Sequence, residues 1–297
     1  MFGFLNVYKP EGWTSFDVVA KLRKITNIRQ IGHTGTLDPF ATGVLPVCIG
    51  KAAKLIDYIP DDKEYIATVK FGFNTDTYDI EGKITQIFDK KISACDVENI
   101  LKLFTGDIEQ YPPIYSAIKV GGKKLYEYAR LGQSVEIKPR KVSVYNIRLI
   151  SFDEKEQIAK ILVNCSKGTY IRSIAYDIGL KLGCGGHLIA LERTKAGMFD
   201  VDSSVKLEDL NSENIKNYLQ NPLDMLPQEK YVLTDQEKED VSHGRSIKYL
   251  FKSFGNKTKN DKNKSVSVVF LVYGGKMYGI GNVEKDRIII KKVFGEL

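Results

Sequence analysis

A glycine-rich segment with a single carboxylate, residues 32–43 (GHTGTLDPFATG), most constrains how this chain can fold. Its glycines allow tight turns and close approach to a ligand, and Pro39 fixes the backbone directly after Asp38. The apolar run 44–49 follows at once and predicts a buried strand. An aspartate held in such a loop can act as a nucleophile or a general base. The same residues also fit a plain Asx turn that enters a strand, and both interpretations stay open.

Hydrophobic periodicity predicts strands and helices over the first two thirds of the chain. Residues 63–73 alternate between apolar and polar side chains, which is typical of a strand with one buried face. Capping and periodicity place the other elements as follows: helices at 15–25 (capped by Ser15), 93–104 (opened by a capping box of Ser93 and Asp96), 125–131 and 170–182, and strands at 4–8, 141–152, 157–166 and 188–197.

A change of pattern near residue 228 predicts a domain boundary. The pairs Asn221-Pro222 and Leu226-Pro227 interrupt the chain there, as linkers between domains often do. Beyond them, 266–272, 277–283 and 288–293 read as short strands, the first two joined by a glycine turn. We therefore predict a first domain at 1–228 and a small β-rich module at 229–297.

Composition excludes several classes of protein. The 297 residues are 43% hydrophobic and 27% charged, which is typical of a folded chain. No apolar run approaches the roughly 20 residues that cross a bilayer, and the N-terminus lacks the pattern of a secretory signal. The cysteines are scattered without paired spacing, which favours reduced thiols in the cytoplasm.

Two segments resemble metal sites only superficially. Cys184 and His187 are spaced like half a zinc site, but no second pair matches them. The acidic loop 74–82 has Tyr78 at a ligand position of a calcium loop and Asp79 where that loop needs glycine. The sequence therefore predicts no metal.

The net charge of +7 favours a polyanionic partner. Lysines and arginines alternate with tyrosines over residues 115–141, and stacking rings among cations suit RNA better than a plain charge run does. A second lysine-rich stretch, 252–264, reads as a flexible loop that is either solvated or in contact with phosphates.

Five ordered blocks of sequence together resemble the bacterial tRNA pseudouridine-55 synthases. The Asp38 segment, 32–47, is the most specific of them, and the similarity extends over nearly the whole chain. The others are 9–15 (KPEGWTS), 65–82, 112–132 (beginning PPIYSAIK) and 166–173 (SKGTYIRS), the last continuing through Leu191, Arg193 and Gly197. Phe40 departs from the leucine that many relatives carry, but it removes no reactive group.

This resemblance implies isomerisation of one uridine in the tRNA T-loop without metal or organic cofactor. With the periodicity, it implies an α+β fold: a central mixed, mainly antiparallel sheet flanked by helices. The module at 229–297 resembles a PUA domain, a small RNA-binding β-barrel, and the insertion that clamps the T-arm corresponds to about 119–145. The partner implied is the T-stem-loop of tRNA, in the cytoplasm, with no membrane, no obligate protein partner and a monomeric enzyme.

The resemblance also assigns residue roles. Asp38 is the catalytic aspartate, which attacks the sugar C1′, removes a C2′ proton or adds to base C6. Because this carboxylate must be ionised, a nearby cation is required, and Arg172 is the candidate. The resemblance further implies that Tyr65 stacks on the base and that Tyr170 and Leu191 contact it, while His33 occupies the space that the flipped base leaves. It implies phosphate contacts for Lys119, Arg130 and Arg193. Lys9 and Pro10 would support the Asp38 loop structurally.

Two other functions remain as alternatives. An RNA-binding or RNA-folding factor without catalysis would suit the basic aromatic segment and the β-rich module equally well, but plain binding needs no buried carboxylate. An aspartate-dependent hydrolase would need a second carboxylate at a suitable position, and the sequence offers no persuasive one.

Overall fold

The computed structural model describes residues 1–249 and 267–295, which form two compact units. The larger unit comprises Leu5–Val47 and Ile59–Tyr218, and the smaller comprises Met1–Phe4, Cys48–Tyr58 and the described part of 219–297. The lysine-rich stretch 252–264 lies outside the described residues. Within the described ranges, every helix is too short or too polar to cross a bilayer.

A large mixed sheet forms the centre of the larger unit. The strands up to residue 218 are β1 (Gly3–Lys9), β2 (Ile31–His33), β3 (Thr42–Ile49), β4 (Lys63–Phe71), β5 (Phe73–Thr75), β6 (Ile84–Ile87), β7 (Gly106–Gln110), β8 (Lys119–Val120), β9 (Lys123–Lys124), β10 (Arg140–Asp153), β11 (Ile158–Cys165), β12 (Gly186–Ala196), β13 (Phe199–Asp200) and β14 (Val205–Lys206). The sheet order is β14-β1-β3-β12-β4-β11-β10-β7, with β2 beside β3 and β13 beside β12. The β1–β14 and β3–β12 pairs are parallel, whereas β12–β4, β4–β11, β11–β10 and β10–β7 are antiparallel.

Strand β4 shows why this sheet has one buried face. Tyr65, Ala67, Val69 and Phe71 are buried, whereas the residues between them are only half-buried, as the alternating sequence predicts. The helices of this unit are α1 (Ser15–Thr26), α2 (Ala94–Leu101), α3 (Leu125–Arg130) and α4 (Ile171–Leu182), and the buried core includes side chains of α2 and α4 together with those of β4. Complete burial of each large aliphatic side chain contributes about 1.5–3 kcal/mol.

The helix caps largely follow local sequence rules. Ser93 caps α2 in a capping box with Asp96, as predicted. The prediction that Ser15 caps α1 is wrong, because Thr14 is the N-cap and forms the capping box with Asp17. The side chain of Ser15 is buried instead.

The smaller unit contains a second sheet, as the sequence predicts for the C-terminal module. Its strands are β15 (Glu229–Val232), β16 (Ile247–Lys248), β17 (Ser267–Tyr273), β18 (Lys276–Glu284) and β19 (Arg287–Val293), and its helices are α5 (Pro222–Met225) and α6 (Asp235–Ser242). The sheet order is β15-β17-β18-β19-β16, with β15 and β17 parallel and the other pairs antiparallel.

Replacing Gly43 by alanine is expected to lower the free energy of unfolding by about 3 kcal/mol or more. Gly43 has φ +101° and pairs with Arg193 of β12, so a Cβ atom would overlap the Arg193 carbonyl oxygen and lie 2.8 Å from its nitrogen. Chemical denaturation measures the effect. Gly12→Ala is the matched control: it shares the positive φ (+76°) but has no atom within 4 Å of the added methyl, and we expect it to cost only about 1 kcal/mol. Equal losses in both variants would contradict the steric argument.

Candidate active site

The Asp38 loop joins β2 to β3 and is held from behind by Lys9. This lysine is fully buried, and its ammonium donates hydrogen bonds to the carbonyl oxygens of Pro10 (2.8 Å), Trp13 (2.6 Å) and Pro39 (3.1 Å). Burial lowers the pKa of Lys9 to about 8, so the charged form still predominates at neutral pH. The predicted contact between Lys9 and this loop is present at the Pro39 carbonyl. The Pro10 carbonyl accepts a hydrogen bond from the same ammonium and so helps to hold Lys9 in place.

Two further buried side chains hold the loop, Arg193 of β12 and Ser15 of α1. Arg193 donates to the carbonyl oxygens of Val44 (2.7 Å) and Gly35 (3.1 Å), and the Ser15 hydroxyl accepts a 2.9 Å hydrogen bond from the Leu37 amide. The predicted phosphate contact does not fit the position of Arg193. Its side chain has no exposed surface, and its guanidinium is occupied by backbone carbonyls, so we assign it to support of the loop.

The Asp38 carboxylate meets the guanidinium of Arg172. Nε of Arg172 lies 2.9 Å from Oδ2 of Asp38, and Nη2 donates to Oδ1 at 3.2 Å, so the predicted ion pair is present. The same guanidinium contacts the buried carboxylate of Asp79 at 3.1 Å, and donates to the carbonyl oxygens of Thr77 (3.1 Å) and Tyr115 (3.0 Å). One cation therefore orients two carboxylates.

Burial raises the pKa of Asp38 above its usual value, while the Arg172 guanidinium opposes that rise. The negative charge of Asp79 adds to the rise in this pKa, and the positive charge of Lys9 opposes it. A partly desolvated carboxylate is more basic than an exposed one, so this balance suits a group that accepts a proton or attacks carbon.

A cavity of about 480 Å³ opens in front of Asp38. Its lining includes the loop 34–38, Asp61, Lys63, Tyr65, residues 115–117, Tyr126, residues 167–172 and Leu191. Cavities that bind small molecules are of this size and combine apolar walls with a few placed polar groups.

Three of the predicted base-contacting residues lie together in this cavity. Tyr65 and Leu191 are each 7% exposed and come from the adjacent antiparallel strands β4 and β12. Tyr170 lies at the N-terminus of α4, where Gln110 accepts from its amide (2.8 Å) and donates to its carbonyl (3.0 Å). Burial raises the pKa of the Tyr65 phenol, which therefore stays protonated at neutral pH.

His33, Lys119 and Arg130, also predicted as site residues, are not part of the cavity lining. His33 ends β2, outside the cavity lining, and its Nδ1 is buried without a hydrogen-bond partner among the described residues. Lys119 and Arg130 are exposed, on β8 and at the end of α3. The Arg130 guanidinium lies 5.3 Å from the ring centre of Tyr126, which itself lines the cavity.

Sequence reasoning missed Asp79 and Gln110. Asp79 was considered only as part of a calcium loop, yet it is 3% exposed and paired with Arg172. The spacing of Thr77 and Asp79 carried a local signal, because the Thr77 hydroxyl donates to the Asp79 carboxylate. Gln110 precedes the paired prolines and gave no such signal, since its partner Tyr170 is 60 residues away.

Replacing Lys9 by methionine is expected to lower the free energy of unfolding by about 3 kcal/mol, because buried carbonyl groups lose their donor. Methionine keeps the length and the apolar contacts, so the loss reports on the ammonium. Lys24→Met, at an exposed position of α1, is the control and should change stability by about 0.5 kcal/mol or less. A Lys9→Met protein as stable as the wild type would show that the ammonium does not support the loop.

Comparison with known proteins identifies the family to which this chain belongs. Residues 23–171 match the model of the TruB family pseudouridylate synthase N-terminal domain, and residues 172–232 match the tRNA pseudouridylate synthase B C-terminal domain. The chain is 44% identical to tRNA pseudouridine synthase B of Clostridium tetani over 99% of both chains. It is 42% identical to the protein of that name from Clostridium kluyveri, over 99% of this chain and 100% of the other.

The fold agrees as well. A chain from the crystal structure of a Cbf5-Nop10-Gar1 complex superposes with a TM-score of 0.70 and 25% identity, over 100% of this chain and 88% of that one. The prediction of an α+β fold with a mixed, mainly antiparallel sheet and a second β-rich unit is confirmed. The fold and the matched family models together define an RNA-modifying isomerase. The chain belongs to the TruB family of pseudouridylate synthases, enzymes that convert uridine to pseudouridine.

Proposed function

We propose that this protein isomerises uridine-55 in the T-loop of tRNA to pseudouridine. The observation that carries the proposal is the Asp38 carboxylate, paired with Arg172 at 2.9 Å and facing a cavity of about 480 Å³. Membership of the TruB family and the names of the similar proteins, tRNA pseudouridine synthase B, support tRNA as the substrate.

The reaction requires that the target nucleotide leave its stacked position and enter the cavity. The bond between C1′ and N1 breaks, the uracil turns, and C1′ joins C5. The proton on C5 is released and N1 takes up a proton, so the product is an isomer of the substrate. Asp38 acts by attack at C1′, by removal of the C2′ proton or by addition to C6, and Arg172 keeps it ionised in each case.

The remaining residues bind and position the nucleotide. Tyr65 stacks on the uracil, and Tyr170 and Leu191 form the walls beside it, as their places in the cavity lining support. His33 fills the space that the flipped base leaves, because extrusion of a nucleotide costs stacking energy that another group must offset. Lys119 and Arg130 contact phosphates.

Two segments extend the interface with tRNA. Residues 119–145 clamp the T-arm, and the β-rich module that begins near residue 229 binds RNA as a PUA domain does. The basic and aromatic side chains of the first segment support its role, among them Lys124 over Tyr126 at 5.3 Å and Lys123 over Tyr128 at 6.0 Å. The protein acts as a monomer without an obligate protein partner.

Tritium release from tRNA labelled at C5 of its uridines tests the proposal. We expect the purified protein to release one equivalent of tritium per wild-type tRNA and none above background when uridine-55 is replaced by cytidine. Mapping of pseudouridine in the product should give a signal at position 55. Binding of tRNA without tritium release would contradict the proposal and favour the RNA-folding factor, whereas equal release from both tRNAs would refute the choice of uridine-55.

A further inference from the structure

Two lysines and one aspartate surround the mouth of the cavity. We refer to Asp61, Lys63 and Lys167 as the mouth cluster, and all three line the cavity. Nζ of Lys167 lies 2.6 Å from the Asp61 carboxylate, and Nζ of Lys63 donates to the Asp61 carbonyl at 2.9 Å. The side chains of Lys167 and Asp61 are 71% and 53% exposed, so solvent and RNA can reach this ion pair.

The geometry of β4 relates Lys63 to the site of the base. Lys63 and Tyr65 lie two positions apart on one strand, so their side chains leave the same face of the sheet. A strand rises about 3.3 Å per residue, which separates their Cα atoms by about 6.6 Å. If a uracil stacks on Tyr65, Lys63 therefore lies next to it on the same face of the strand. The sugar and phosphate of that nucleotide would then pass close to the Lys63 ammonium.

The mouth cluster carries more positive than negative charge. Burial is the main cause that lowers the pKa of Lys63, and the nearby charges of Arg193 and Lys167 lower it further. The Asp61 carboxylate is the nearby negative charge that opposes this effect most strongly. Arg193 is fixed on backbone carbonyls of the Asp38 loop, so it cannot move away. A second anion placed between the two lysines would reduce their mutual repulsion.

We propose that Lys63 and Lys167 bind the backbone phosphate adjacent to the extruded uridine, and that the Asp61 carboxylate holds Lys167 in place until that phosphate replaces it. This inference rests on the proposed function, since it concerns the nucleotide that enters the same cavity. It makes the cluster a subsite for a phosphodiester, distinct from the contacts that Asp38 and Arg172 make.

A chemical double-mutant cycle tests the assignment. The probe is a T-stem-loop RNA with a neutral methylphosphonate at either the 5′ or the 3′ phosphate of the target uridine, and the readout is its Kd with the full-length protein. At one of these two positions, we expect the neutral linkage to weaken RNA binding by the wild-type protein about tenfold. The same linkage should not weaken RNA binding by Lys63→Met any further, because this variant already lacks the side chain that contacts the phosphate. Lys63→Met should also reduce the slope of log K against log salt by about 0.7, the value for one single-strand phosphate.

Two further variants sharpen the result. Asp61→Asn should bind the unmodified RNA about three- to tenfold more tightly, because a competing anion is gone. Lys70→Met is the matched control, because Lys70 lies on the opposite face of β4, where it pairs with Glu156 at 3.6 Å. The methylphosphonate should weaken RNA binding by Lys70→Met as much as it weakens RNA binding by the wild type. The inference would be overturned if the neutral linkage, at both positions, weakened RNA binding by Lys63→Met as much as it weakens binding by the wild type. Weaker RNA binding by Asp61→Asn, or no RNA binding by the wild type, would also overturn it. Binding with the expected cycle but without tritium release would refute only the proposed function.

Discussion

Asp38→Asn is expected to reduce isomerisation by about 10⁴-fold or more while tRNA affinity changes by less than about threefold. The amide is nearly isosteric with the carboxylate, so the loop and its anchors Lys9 and Arg193 are kept. It can neither attack C1′ nor accept a proton, which removes each of the three routes open to Asp38. Single-turnover tritium release measures the chemical step, and filter binding measures the affinity separately.

Asp202→Asn is the matched control for this substitution, since Asp202 is exposed. We expect its turnover to stay within about twofold of the wild type. An Asp38→Asn protein that isomerises tRNA at a normal rate would refute the role of the carboxylate. Loss of tRNA binding together with loss of turnover would point instead to a structural role for Asp38.

Arg172→Lys is expected to lower the rate of isomerisation about 10²-fold and to shift its pH dependence. Arg172 contacts Asp38 and Asp79 and also donates to two carbonyl oxygens, a set that one ammonium cannot reach. Arg172→Met would leave the buried carboxylate of Asp79 and the half-buried one of Asp38 without their cation, and should cost about 3–5 kcal/mol in the free energy of unfolding. Arg148→Lys, at an exposed position of β10, is the control and should change neither rate nor stability.

The direction of the pH shift follows from the charges around Asp38. Isomerisation requires the ionised carboxylate, so the rate rises with pH as Asp38 loses its proton. Arg172 opposes the rise in the pKa of Asp38 that burial causes, so a weaker contact in Arg172→Lys should move the acid limb of the rate profile to higher pH. Asp79→Asn removes a neighbouring negative charge and should move that limb to lower pH. Shifts in the opposite directions would contradict the assignment of this limb to Asp38.

Arg193 and Asp79 show where sequence reasoning failed and why. An arginine on a strand near the site reads as a phosphate contact, yet the parallel pairing of β12 with β3 places it under the Asp38 loop, fully buried. Asp79 reads as one carboxylate of an acidic loop, yet packing brings it to Arg172, 93 residues away. The burial of Arg193 and the pairing of Asp79 with Arg172 depend on distant segments, so neighbouring residues could not predict either partner; the contact with Thr77 is the only local signal for Asp79 that we find among the described residues.

Features that depend on neighbours in the chain were determined by the sequence alone. The alternation of β4, the capping box of α2 and the loop of Asp38 with its following strand all follow from contacts within a few residues. The roles assigned to Tyr65, Tyr170, Leu191, Lys119 and Arg130 remain predictions that await measurement.

Only the tertiary structure decided how charge is arranged in the site. The Asp38–Arg172 pair spans 134 residues, and the shared contact with Asp79 exists because three separate segments meet at one guanidinium. The cavity and the burial that raises the pKa of Asp38 likewise arise from packing of β4, β12 and α4. Desolvation is a property of the whole surrounding volume, so it cannot be read from any one segment of the chain.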